Sequence, residues 1–467
     1  MRAHEAGWAH AESGRGPSWL QAPADVNELV PQLWSATASR NHTGALEVGG
    51  VDLRDLVAEH GSPAYVLDEA DFRGRARKFR EGFTDYDVYY AGKAFLCTAV
   101  ARWVAEEDLC LDVCSAGELT VALRAGFDPA RLGYHGNNKT TPELRRAVEV
   151  GVGRIVVDSF TEIDRLTEVT AGLGRTAAVM VRVTAGVEAH THEYIATAHE
   201  DQKFGFSITS GDAFDAVRRV QQARGLELRG LHSHIGSQIF DSSGFEVAAR
   251  RVLTLHARIC DELGVEMPEL DLGGGFGIAY TTQDDPAGPS QLATELTGIV
   301  EHECRALGVP VPALSVEPGR AIVGPSMCTV YEVGTVKQVE LDAGAVRAYV
   351  SVDGGMSDNI RTALYDADYS CTIASRRSEA EPVLSRVVGK HCEAGDIVVK
   401  DEFVAADIAP GDLLAVPGTG AYCRSMASNY NHALRPPVVA VVDGTTRVVI
   451  RRETEDDLLA TDVDTTG

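Results

Sequence analysis

The sequence predicts an α/β fold, a (β/α)8 barrel followed by a C-terminal β domain of sandwich or barrel-like form that also takes in N-terminal strands. Three observations predict it. Short apolar β-like runs alternate with helix-like segments from about residue 85. Eight such runs fall within about 230 residues, the number and span of a closed eight-stranded barrel. Beyond Arg320 the long amphipathic helices stop, and Val-, Thr- and Gly-rich runs follow one another.

In order, the barrel runs are Asp87–Tyr90, Leu109–Val113, Arg131–His135, Arg154–Val157, Ala177–Val183, Leu228–Ile235, Glu269–Leu272 and Ala313–Val316. Between them, T-P-E-L-R-R-A-V-E-V carries Pro142 at an early helical position, and G-D-A-F-D-A-V-R-R-V-Q-Q-A carries Asp212 near its start. Strands that alternate with helices pair in parallel. The polar residues follow the strands: Lys93, Ser115, Asn137, Ser159, His234, the Gly273–Gly277 cluster and Glu317. In a barrel these positions converge on the C-terminal rim, whereas an open doubly wound sheet has no reason to use every strand end.

The expected domains are an arm over 1–35, N-terminal strands over 36–70, the barrel over 71–320 and the β domain over 321–467. The runs A-L-E-V-G-G-V-D-L and A-Y-V-L-D are expected to join the C-terminal sheet, together with R-V-V-G-K-H and L-L-A-V-P-G-T-G. The arm holds Trp8, Trp19 and Trp34, three of the four tryptophans, which predicts that it docks rather than trails.

Composition narrows the function classes. Lys+Arg 43 against Asp+Glu 68 gives a net charge of -25 with no basic run, which argues against a nucleic-acid partner. No stretch is apolar enough to span a bilayer, and the N-terminus lacks a basic segment followed by an apolar one. The nine cysteines are scattered without a C-x-x-C pair, as reduced thiols are. The expectation is a soluble cytoplasmic protein.

Several stretches carry chemistry. In V-Y-Y-A-G-K-A-F-L, Lys93 is a lone cation among apolar residues, either a nucleophilic amine with a depressed pKa or a stem whose head snorkels to water. D-L-G-G-G-F-G, Asp271 to Gly277, fails the dinucleotide pattern because Ile278 stands where the last glycine belongs, yet its glycines allow close backbone approach to a phosphate. E-P-G-R, Glu317 to Arg320, offers a carboxylate for a protonated heterocyclic nitrogen and an arginine for an anion. H-S-H-I-G-S places His232 and His234 on one strand face, and H-T-H repeats the spacing at His190 and His192. A metal is weighed there, but no third ligand is evident, and an imidazole equally stacks on a flat ring. In G-K-H-C-E-A-G-D, Cys392 beside Glu393 reads as a proton donor next to a cation-binding carboxylate, or as a structural turn.

Taken in order, Y-A-G-K-A-F, K-F-G at Lys203–Gly205, H-S-H-I-G-S, G-G-G-F-G, E-P-G-R, C-E-A-G-D and G-A-Y at Gly420–Tyr422 resemble the diaminopimelate decarboxylases, pyridoxal 5'-phosphate enzymes with an alanine-racemase-like barrel. The longer N-terminal arm resembles the actinobacterial form. Ala394 departs from the usual serine of C-E-S-G-D, a small-for-small exchange.

The resemblance implies that Lys93 holds pyridoxal phosphate through a Schiff base, and the apolar context suits a lowered pKa. It implies that His234 stacks on the ring, that Glu317 pairs with the ring nitrogen, and that Ser237, Gly274, Gly275, Pro318, Gly319, Arg320 and Tyr422 complete the cofactor site. It makes Cys392 the proton donor and gives the substrate to Arg320, Arg361, Tyr365, Glu393 and Tyr422. No metal is implied.

The implied reaction is decarboxylation of meso-2,6-diaminopimelate to L-lysine and carbon dioxide, the last step of lysine biosynthesis. The implied assembly is a homodimer with its active site at the interface. Competing readings are an ornithine or arginine decarboxylase on the same fold, an amino-acid racemase, a non-catalytic pyridoxal-phosphate-binding protein, and a metal hydrolase built on the two H-x-H pairs. An arginine that reads a distal carboxylate would reject a substrate lacking one.

Overall fold

The computed structural model describes residues 16–186, 203–234, 238, 240, 243–265, 267–340 and 346–463. They divide into two units. One comprises Arg73–Gly277 and Pro286–Ile322; the other comprises the described residues of Met1–Phe72, with Ile278–Asp285 and those of Val323–Gly467.

In the first unit the described residues contain eight main strands: β1 (Tyr86–Ala91), β2 (Cys110–Val113), β3 (Leu132–Tyr134), β4 (Arg154–Val157), β5 (Ala177–Thr184), β6 (Leu226–His232), β7 (Glu269–Asp271) and β8 (Ala313–Val316). Each pairs in parallel with the next. Ile155 opposite Val179 joins β4 to β5, and Leu314 opposite Tyr86 closes β8 on β1. This is the expected closed barrel. A short strand, Phe206–Ser207, adds to the end of β5.

Local chemistry explains the helices between strands. Thr141–Val150 opens with a capping box of Thr140 and Glu143, has Pro142 in its first turn, and ends at Gly151 in a left-handed conformation. Ser115 and Ser159 follow strands as expected, but their hydroxyls cap the helices Ala116–Ala125 and Phe160–Leu173 by accepting from the Glu118 and Glu162 amides at 3.2 and 3.3 Å.

The barrel interior is polar at mid-height. Arg154 on β4 pairs with Asp271 on β7, donates to the Ser315 hydroxyl on β8 at 3.0 Å, and lies 3.7 Å over the Tyr89 ring on β1. All four are buried. One guanidinium therefore ties four strands together, and removing Asp271 alone would strand a buried charge.

In the second unit, Ala64–Asp68 runs antiparallel to Met327–Glu340 and parallel to Val438–Val442, so an N-terminal strand lies within the C-terminal sheet. The run A-L-E-V-G-G-V-D-L departs from expectation. It folds as a hairpin, Leu46–Val48 with Val51–Asp52, that pairs with Ser39–Arg40 in a separate three-stranded sheet. It packs on the larger sheet through side chains, Leu46, Val48 and Val51 sharing a core with Val66, Val330, Val439 and Val441. Two 2.8 Å backbone hydrogen bonds beside that sheet's strands add to this, from the Leu46 amide to the Ala374 carbonyl and from the Gly444 amide to the Gly49 carbonyl. Trp34 and Leu33 of the arm are buried in that same core. Asn27 fixes the arm further, exchanging two 2.8 Å hydrogen bonds with the backbone of Ser378. Trp8 lies outside the described residues.

Candidate active site

The C-terminal ends of the barrel strands surround a cavity of about 280 Å³, near the lower end of small-molecule sites. Lys93, Asp112, His135, Arg182, His232, His234 and Glu317 line it.

Lys93 sits on the turn after β1, between buried Gly92 and buried Ala94, but its own side chain is exposed. Of the two sequence readings, an exposed head is what the structure has: the apolar neighbours are buried and the lysine lines the cavity. The turn is held from both sides. The Gly92 amide donates to the Asp112 carbonyl at 3.0 Å, and the Ala91 amide to the Pro318 carbonyl at 3.1 Å. Gly319 lies so close to Ala91 and Ala94 that a side chain there would press on both. E-P-G-R and Y-A-G-K-A-F are thus packed against each other.

Glu317, only 7% exposed, forms the floor. Its Oε1 accepts from His232 Nε2 at 2.9 Å and lies 3.4 Å from His135 Nε2, which is itself 3.0 Å from Asp112 Oδ1. His232 Nδ1 is buried with no hydrogen-bond partner among the described residues, so the ring proton belongs on Nε2, facing Glu317. Burial alone would raise the Glu317 carboxyl, but the imidazoles of His135, His232 and His234 bring it well below the usual carboxylate range. Asp112 moves the other way, raised well above that range by burial and by the charge on Glu317. Of the two carboxyls, Glu317 keeps the negative charge. Burial lowers His135 to about 4.

His234 is half-buried beside the glycine run, and its Nδ1 accepts from the Gly274 amide at 3.1 Å. A side chain at Gly274 would collide with the Glu317 carbonyl, and one at Gly273 with the Ser233 carbonyl. Only glycine lets the three strand ends approach this closely. Gly275 is half-buried next along the run, and Arg320, buried, opens the short helix Arg320–Val323 after β8. Ser237, His190 and His192 lie outside the described residues.

Asp112, His135 and Arg182 are cavity residues that sequence reasoning missed. His135 and Asn137 are carried on a loop anchored by Lys139, whose ammonium donates to the Gly136 and Val156 carbonyls at 2.7 Å each and pairs with buried Glu162 at 2.7 Å. His135, His232 and Glu317 bring potential ligand atoms within 4.8 Å of one another; His234, the other histidine of H-S-H, is not among them, and here His232 is hydrogen-bonded to Glu317 and His135 to Asp112.

The second unit holds the remaining predicted residues. Arg361 and Tyr365 begin and end the short helix Arg361–Tyr365. Arg361 is 5% exposed; it donates to the Tyr369 hydroxyl at 2.6 Å and lies 4.7 Å from the Tyr280 ring centroid, leaving its Nε without a hydrogen-bond partner among the described residues. Tyr365 is half-buried. Cys392 and Glu393 stand exposed on a turn. Tyr422, half-buried, adopts a left-handed φ of 65°, a conformation that costs a non-glycine residue energy and marks a constrained backbone.

Residues 69–324 match the family model described as the pyridoxal-binding domain of pyridoxal-dependent decarboxylases, which gives the class. The diaminopimelate decarboxylase of Mycobacterium leprae is 54% identical over 474 residues, covering 99% of this chain and 100% of that one. That of Mycobacterium tuberculosis is 56% identical over 444 residues, covering 94% and 99%. Among solved structures, the diaminopimelate decarboxylase of M. jannaschii superposes with a TM-score of 0.85 at 29% identity, covering 92% of this chain and 98% of that one. The chain belongs to the diaminopimelate decarboxylase family.

The barrel residues fit the cofactor of that class. A buried anionic carboxylate on the floor suits a protonated ring nitrogen, an exposed amine at the rim suits an aldehyde, and a side-chain-free backbone run beside them suits a phosphate.

Proposed function

We infer that this chain decarboxylates meso-2,6-diaminopimelate to L-lysine and carbon dioxide, the last step of lysine biosynthesis, with pyridoxal 5'-phosphate as cofactor. The observation that carries the reading is the pairing, in one cavity, of an exposed Lys93 with a buried Glu317 kept anionic by its histidines. Family membership supports the substrate. Lys93 would hold the cofactor covalently, Glu317 its ring nitrogen and His234 its ring face. Gly274, Gly275 and Tyr422, with Ser237 and the Pro318–Arg320 backbone, would complete its site. When bound, the cofactor supplies an electron sink for the charge left by departing carbon dioxide.

The chain's own residues do the rest. Arg361 reads the distal carboxylate and Glu393 the distal ammonium, while Arg320, Tyr365 and Tyr422 complete the substrate contacts. A substrate lacking the distal carboxylate would leave the buried Arg361 guanidinium unpaired, which disfavours ornithine. Cys392 returns a proton to the α-carbon. Exposure of Cys392 and Glu393 supports a homodimer in which this turn serves the partner's site. The free thiols among the described cysteines support a reducing cytoplasm.

The test is product analysis. The purified protein with pyridoxal phosphate is given meso-diaminopimelate, ornithine or arginine in parallel. Lysine from diaminopimelate alone is expected; a diamine product would reassign the distal pocket, and no product from any of the three would overturn the reading.

A further inference from the structure

At the Cys392–Ala394 turn, the tip is exposed but the residues on either side are buried and fixed, His391 at 8% and Asp396 at 3% exposure. The Asp396 carboxylate accepts from the Met356 amide at 2.6 Å and the His391 amide at 2.7 Å. A side chain at Gly389 would collide with that carboxylate, and one at Gly355 would come within 2.5 Å of it. The backbone closes the turn as well: the Gly389 amide donates to the Asp396 carbonyl at 2.9 Å and the Asp396 amide to the Glu393 carbonyl at 3.1 Å. His391 is held through its ring, with Nε2 at 2.8 Å from the Ser357 hydroxyl and Nδ1 at 3.1 Å from Asn431 Oδ1. An amide carbonyl accepts only, so Nδ1 carries the ring proton and Nε2 accepts from Ser357.

We propose that Asp396 and His391 are positioning residues that aim Cys392 and Glu393 by locking the turn to the Met356–Ser357 segment. The same segment runs on, through Asp358 and Asn359, to Arg361: Asp358 accepts from the Gly355 amide at 2.8 Å and Asn359 from the Arg361 amide at 3.3 Å. One carboxylate thus sets the proton donor against the stretch that leads to the substrate-reading arginine. An exposed turn without such an anchor would sample many orientations, and a displacement of about 1 Å at a reacting group costs about a hundredfold in rate.

The proposal rests on the reading of Cys392 as proton donor, and a double-mutant cycle separates the two. Asp396→Asn keeps the shape but turns an acceptor into a donor facing an amide. It is expected to lower kcat about tenfold in the wild-type background and less than twofold in the Cys392→Ala background, because it acts through that thiol. Equal losses in both backgrounds would overturn the proposal. A Cys392→Ala variant with full kcat would overturn the donor reading, and with it the positioning role in proton return. Amide hydrogen exchange reads the clamp without turnover. One of the Met356 and His391 amides, the one left facing the side-chain NH2, is expected to exchange at least tenfold faster in Asp396→Asn, an approximate threshold for loss of a buried hydrogen bond, and unchanged exchange of both would overturn the clamp. Should Asp396→Asn fail to fold, Ser357→Ala, which frees one edge of the His391 ring, takes its place in the same cycle with a smaller expected loss and the same contradicting result.

Discussion

At the barrel floor, buried Asp112, Glu317 and His232 and half-buried His135 are joined in one chain of contacts, Asp112 to His135 to Glu317 to His232, whereas at the turn Cys392 and Glu393 face outward and only their neighbours are fixed. The floor sets charge by contact and burial: burial and the charge on Glu317 raise Asp112, while the neighbouring imidazoles bring Glu317 down. The turn holds its working groups by anchoring the backbone beneath them and leaves the thiol and carboxylate able to meet what arrives. On the proposed roles, the first arrangement suits binding a permanent cofactor and the second suits handling a substrate that enters and leaves.

Substitutions can break this contrast at either end. The largest expected effect is at the rim: Lys93→Ala should lower kcat by about a thousandfold or more, read in a turnover assay with saturating pyridoxal phosphate. Loss below tenfold would remove the lysine from the chemistry. Cys392→Ala should lower kcat by about a hundredfold, in the range of general acid catalysis, while pyridoxal phosphate still binds by absorbance titration. Arg361→Ala should act mainly on KM for diaminopimelate, raising it by about thirtyfold or more, the scale of a buried charge pair losing one member. An unchanged KM would remove Arg361 from recognition.

The smallest effect sharpens the floor. His135 is held near 4 when folded, below its ordinary 6.5, so the unfolded chain binds the proton more readily. Its contribution to stability is therefore present above about pH 6.5 and is lost as the pH falls toward 4, by on the order of 3 kcal/mol at most. Urea unfolding at pH 7 and pH 5 should show a smaller acid loss in His135→Gln than in the wild type. Equal slopes would contradict the buried neutral imidazole.

Much of this was legible from residue order. Strand alternation placed β4 and β8 to the residue, and the motifs located Lys93, His234 and Glu317 in one cavity. Asp112 was hidden because C-L-D-V reads as a strand whose polar residue could face either way, and His135 because a histidine after L-G-Y carries no spacing signal of its own. The serines at 115 and 159 follow strands as read, and their capping role has a physical reason. In a βα unit the end of a strand is also the start of a helix, and S-A-G-E and S-F-T-E match the capping pattern that could have told the two roles apart. The stretch around Lys93 left two readings open because sequence context reports where the backbone lies, not where a long side chain ends.

The division of labour between floor and turn is tested by titrating pyridoxal phosphate into wild type, Glu317→Gln and Glu393→Gln, following absorbance. Glu317→Gln should weaken cofactor binding by about tenfold or more, the value of a charge-assisted hydrogen bond, while Glu393→Gln leaves the cofactor Kd within about twofold. Equal weakening by both substitutions, or none by Glu317→Gln, would contradict it.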